Sequence, residues 1–97
     1  MRNRRDYKRA LEVVGEVVRN WDPYGLLQSG MPDNEFDAEI AKVVAAIPRI
    51  NSATDASRAL SVAFSDSFEP ESFSEASCAE PGVELYSRLV AAGLCTP

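Results

Sequence analysis

The stretch Asp6-Tyr7-Lys8-Arg9-Ala10-Leu11-Glu12-Val13-Val14-Gly15-Glu16-Val17-Val18-Arg19-Asn20-Trp21 decides the fold. Tyr7, Leu11, Val14, Val18 and Trp21 recur at alternating steps of four and three, which places them on one side of a helix. Ala10 and Val17 widen that apolar stripe, while Arg9, Glu12, Glu16 and Arg19 fall largely on the opposite side. The pattern predicts an amphipathic helix from Asp6 to Asn20, with Asp6 as its N-cap. Gly15 interrupts it at a cost of ~1 kcal/mol relative to alanine. Close approach of a second helix would explain a glycine there.

Downstream, Asp22 to Pro32 is rich in turn formers and reads as a connector, with Asp22-Pro23 as a cap and first-turn pair and one helical turn through Leu26 and Leu27. A second helix is announced by Asp33 as N-cap, with Glu35 and Asp37 where the helix dipole favours negative charge. Its apolar stripe is Phe36, Ile40, Val43, Val44 and Ile47, and Pro48 ends it. A third helix follows Ser52 or Thr54 and carries Ala56, Leu60, Ala63, Phe64 and Phe68. Residues 69–80 read as an acidic, serine-rich loop anchored by Phe73. Pro81 opens a last helix through Leu85, Tyr86, Leu89 and Val90, with Gly93 as its C-terminal cap and Leu94 folding back on Leu89.

No period-two stretch of useful length and no internal repeat occurs. The expected fold is therefore all-α: one domain, a bundle of about four helices, with the turn-rich connector between the first two and a flexible basic arm at residues 1–5. Leu11, Val14, Val18, Trp21, Phe36, Ile40, Val44, Leu60, Phe64 and Leu89 are its expected core.

The segment Trp21-Asp22-Pro23-Tyr24-Gly25-Leu26-Leu27, followed by Gly30-Met31-Pro32 and Glu35-Phe36-Asp37-Ala38-Glu39-Ile40, resembles a bacterial family of small helical proteins of unknown function. That family is marked by Trp-Asp-Pro-x-Gly-Leu-Leu, then Gly-x-Pro, then Glu-aromatic-Asp-x-Glu-Ile. The match is closest over residues 21–40 and fades to a Phe64-x-x-x-Phe68 echo. The resemblance implies a compact helical fold and no particular activity.

The chain contains no histidine, which removes Ser-His-Asp and Cys-His nucleophile arrangements and the usual neutral-pH acid–base residue. No glycine-rich phosphate loop is present. Two cysteines, Cys78 and Cys95, read as reduced thiols, with a disulfide to the C-terminus as the alternative. The cluster Asp33-Asn34-Glu35-Phe36-Asp37-Ala38-Glu39 invites a calcium reading, but Ala38 and Val44 stand at the glycine and final glutamate positions of an EF-hand loop. No metal or other cofactor is expected. No apolar run approaches the ~18 residues of a membrane span, and Glu12 and Glu16 break the only candidate export signal, so the expected location is the cytoplasm.

Charge is unevenly spread. Residues 1–20 hold six basic and three acidic side chains, whereas residues 21–97 hold four basic and twelve acidic ones. Between Arg58 and Arg88 there is no positive charge, while Asp66, Glu69, Glu71, Glu75, Glu80 and Glu84 accumulate. Such a surface repels phosphate backbones and attracts a basic protein. The expected contact face is Asp66, Glu69, Glu71, Glu75, Glu80 and Glu84, joined by Glu35 and Glu39. The functional expectation is a small acidic protein-binding module, in its sharpest form an immunity- or inhibitor-type protein that masks a basic, toxin-like partner. The alternatives are a carboxylate- or metal-dependent enzyme built on residues 33–39, or an accessory domain with a weak partner.

Overall fold

The computed structural model describes residues 4–22, 30, 36–67 and 73–95. Within them lie four α-helices: α1 (Arg4–Trp21), α2 (Asp37–Ala46), α3 (Ala53–Ser67) and α4 (Ala79–Ala91). A 3₁₀ turn, Ile47–Arg49, extends α2, and no strand occurs among the described residues.

Helix α1 starts before the expected cap. Arg4 and Arg5 are already helical, and Asp6 lies in the first turn rather than at the cap. Its carboxylate still faces the positive end of the dipole, so its sequence signal was sound while the boundary moved. At the other end, Asp22 has φ +45° and donates its N–H to the Val18 carbonyl at 2.8 Å. It therefore stops α1 in the left-handed conformation that Asp tolerates. The expected Asp22-Pro23 cap and first-turn pair runs into residues outside the described ones. The expected turn through Leu26 and Leu27, and the Asp33 cap, lie outside the described residues.

Pro48 stops the α2 ladder but tolerates the tighter 3₁₀ turn, in which Ile50 donates to the Ile47 carbonyl at 2.9 Å. Ser52 then caps α3: its Oγ accepts the Asp55 N–H at 3.1 Å, and Asp55 Oδ2 accepts the Asn51 N–H at 2.9 Å. Helix α4 begins two residues before Pro81, which falls in the first turn where its missing N–H has no partner to lose. Its far end is a Schellman motif. Gly93, at φ +76°, donates to the Val90 carbonyl at 3.0 Å, and Leu94 donates to the Leu89 carbonyl at 2.9 Å.

The four helices form an up-down ring in which α1 packs on α2 and α4, and α3 on α2 and α4. Their apolar stripes meet in one cluster that includes Val14, Val18, Phe36, Ile40, Val44, Leu60, Phe64, Phe73, Leu85 and Leu89. Leu11 and Trp21, expected inside, are only partly buried. Phe73 is buried, as its reading as an anchor requires. It stacks on Phe64 at 5.2 Å, and its carbonyl accepts the Ser61 hydroxyl.

The glycine of close approach is not Gly15. A Cβ at Gly15 would meet the Arg19 guanidinium, with Nη1 at 2.6 Å, so the neighbour is a flexible side chain of the same helix. A Cβ at Gly82 would lie 2.8 Å from Ser57 Cα, which makes Gly82 the point where the α3 and α4 backbones touch.

Candidate protein-binding surface

The described acidic residues of 66–84 have different neighbours. Asp66 lies 3.6 Å from Lys42 of α2, and Glu75 lies 3.5 Å from Arg58 of α3. Glu80 and Glu84 instead point toward α1. Glu39 is only 4% exposed, so α2 turns it inward. The reason is its place in the helix: Glu39 precedes the buried Ile40 and lies four residues before the buried Val43, on the side that packs. Glu35, Glu69 and Glu71 lie outside the described residues. Of the 33–39 cluster, Asp37 is exposed while Glu39 is buried, so these two carboxylates do not converge. Among the described residues, no three His, Cys, Asp or Glu side chains are grouped as a metal site would need.

The α1/α4 seam, by contrast, collects polar groups from distant parts of the chain. The helices run antiparallel, so the start of α1 meets the end of α4. There Arg9 Nη1 donates to the Ala92 carbonyl at 3.1 Å. Two turns along α1 and one along α4, Arg88 is held between the helices, 2.7 Å from Glu16 of α1 and 3.3 Å from Glu84 of α4. One further turn of α4 opens into a cleft of about 330 Å³, lined by Asn20, Trp21, Ser77, Glu80, Pro81 and Glu84. Trp21 stands at its edge with one side anchored, its ring meeting Phe64 at 5.1 Å and Phe73 at 5.9 Å in edge-on contacts. Glu80 has no ion-pair partner among the described residues. This seam therefore carries three carboxylates (Glu16, Glu80 and Glu84) against the two guanidiniums of Arg9 and Arg88, and Arg9 is bonded to a backbone carbonyl at the far end from Glu80.

A second concavity, about 560 Å³, runs between α2 and α3. Ala46, Ile50, Ala59 and Ala63 line it, and its rim carries Lys42, Arg49 and Arg58 against Asp55 and Asp66. Cations outnumber anions there, the reverse of the α1/α4 cleft.

Sequence reasoning named Glu80 and Glu84 but missed Glu16, Asn20 and their meeting with α4. The i, i+4 spacing of Glu80, Glu84 and Arg88 was the available signal. The pairing with α1 spans 72 positions and leaves no local trace.

Both cysteines are free thiols. They lie at opposite ends of α4, a thirteen-residue helix about 20 Å long, far beyond the ~7 Å that a disulfide spans between Cα atoms. Burial pushes the Cys78 thiol up to about 11 and raises Cys95 as well, so neither is a ready thiolate at neutral pH.

The molecule is thus an all-α four-helix bundle with an acidic, tryptophan-edged cleft. The chain belongs to the family described as Domain of unknown function (DUF1871), whose model matches residues 13–93. No curated protein and no solved structure matches it. No helix among the described residues is long and apolar enough to cross a membrane.

Proposed function

We propose that the chain is a binding module for a basic protein, which it meets with the α1/α4 face. In its sharpest form it is a bacterial immunity- or inhibitor-type protein that masks a cationic, toxin-like surface. The observation that carries this reading is the charge balance at the seam, where Glu16, Glu80 and Glu84 outnumber Arg9 and Arg88 and Glu80 has no ion-pair partner among the described residues. Elsewhere on the described surface, Asp66 and Glu75 are already matched by Lys42 and Arg58. An unbalanced patch on a chain of net charge −5 steers a basic partner at long range and fixes its orientation on arrival.

Screening over roughly 8 Å at physiological salt confines the effect of exposed charges mainly to the association rate. The test is kinetic. The partner is isolated from the native cell or from a neighbouring gene, and its on-rate is measured against wild type and the Glu16→Lys, Glu80→Lys, Glu84→Lys triple variant. Slower association of the variant, with a gap that narrows as salt rises, is the expected outcome. Equal on-rates at low salt would remove the α1/α4 face from recognition.

A further inference from the structure

Along the α1/α4 seam, guanidinium groups recur in step with the helices. Arg9 reaches the Ala92 carbonyl, and Arg88 bridges Glu16 and Glu84. Residues 80, 84, 88 and 92 are spaced four apart, so they share one side of α4 and face α1 in succession. The next step of the same ladder is the cleft at Trp21, Glu80 and Glu84, and no arginine or lysine of the described residues lines it.

We propose that this cleft is a receptor for one arginine side chain of the basic partner, the guanidinium lying against the Trp21 indole and between Glu80 and Glu84. The assignment rests on the basic-partner reading and narrows it to one side chain. A planar cation suits the site for two reasons. An indole face attracts a guanidinium that stacks on it, and two carboxylates one helical turn apart accept from its several N–H donors. Asn20 and Ser77 add neutral hydrogen-bonding groups at the rim. The first turn of α4 does oppose a cation, but its dipole amounts to about half a charge, set against the full charge of Glu80 and the charge of Glu84, which Arg88 shares. The Phe64 and Phe73 rings hold Trp21 from behind, so the receptor is formed before a ligand arrives.

Trp21 is the only tryptophan, so its emission reports the site directly. The probe is a hexaarginine peptide, titrated at low salt while calorimetry and tryptophan fluorescence are recorded together. Saturable binding with a matching change in emission is expected. The Glu80→Gln, Glu84→Gln variant should weaken it about tenfold. An Asp66→Asn, Glu75→Gln variant, which loses the same charge elsewhere, should weaken it far less. Circular dichroism confirms that both variants remain folded, which exposed Glu-to-Gln changes permit. Three outcomes separate the ideas. Binding with unchanged emission, or with equal losses in the two variants, refutes the receptor and leaves the general acidic attraction standing. Absence of any hexaarginine binding at low salt overturns the basic-partner reading and the receptor together. A hexaglutamate control that perturbs the emission equally also refutes the receptor.

Discussion

Helix α4 makes two seams of opposite character. Toward α3 it presents Gly82, and the backbones close until a Cβ at that position would lie 2.8 Å from Ser57 Cα. Toward α1 it presents Glu80 and Glu84, which line a cleft, and Arg88, which pairs with Glu16. The α3 seam is a close backbone contact, and any added volume is felt there. The α1 seam is built from half-exposed ion pairs, each worth at most about 1 kcal/mol, so it can be altered with little effect on the fold. Tight packing and an alterable polar seam thus lie on different sides of one helix.

The comparison is broken most directly at Gly82. Gly82→Ala should cost ~1–3 kcal/mol, because the new methyl meets backbone that cannot swing aside. A melting-temperature fall on the order of 10 °C by circular dichroism is the expected readout. Gly15→Ala is the internal control: its methyl meets only the movable Arg19 guanidinium, and helix propensity favours the change by ~1 kcal/mol. If both substitutions melt alike, the tight α3/α4 contact is not what holds α4.

A smaller effect is expected at high pH from Cys78, which is fully buried at the start of α4. Its thiol ionises near 9.0 when unfolded and near about 11 when folded. The unfolded state therefore loses its proton first, so the stability contributed by this group is intact below pH 9.0 and falls as pH rises toward 11. Thermal melts across that range should show a steeper alkaline decline in wild type than in Cys78→Ala. Parallel curves would mean that the thiol meets water more readily than its burial implies.

The smallest change is expected on the other seam. Arg88→Gln removes the bridge between Glu16 and Glu84 yet should cost no more than ~1 kcal/mol, since all three side chains are substantially exposed. Added salt should shrink even that loss. A loss comparable to Gly82→Ala would show that the ion pairs, and not the apolar stripe of α1, secure the first helix.

Much of the fold was legible along the chain. The stripe from Val14 to Val18, the stop at Pro48 and the Gly93 terminus all appear where local spacing puts them, and the α3 cap falls on Ser52, one of the two starts (Ser52 or Thr54) that the spacing allowed, because each depends on bonds that close within three to five residues. Asp6 and Pro81 show the limit of that reading. Both belong to first turns, but a carboxylate or a proline is tolerated at several positions of a first turn, so neither marks the boundary itself.

The surface was far less legible. The run from Asp66 to Glu84 looks uniformly uncompensated because the cations that answer it, Lys42, Arg58 and Arg88, come from outside that interval. Glu39 looked like part of an exposed cluster, yet α2 turns it inward. What the sequence by itself determined was therefore the set of helices, their ends and most of the core, since hydrogen-bond closure and a 3.6-residue period are properties of neighbouring residues. Only the tertiary structure decided which charges remain unbalanced and that Trp21 shares a cleft with Glu80 and Glu84. A Coulomb interaction depends on distance in space, and the ring closure of α1 onto α4 brings Glu16 and Arg88 to 2.7 Å across 72 positions of chain.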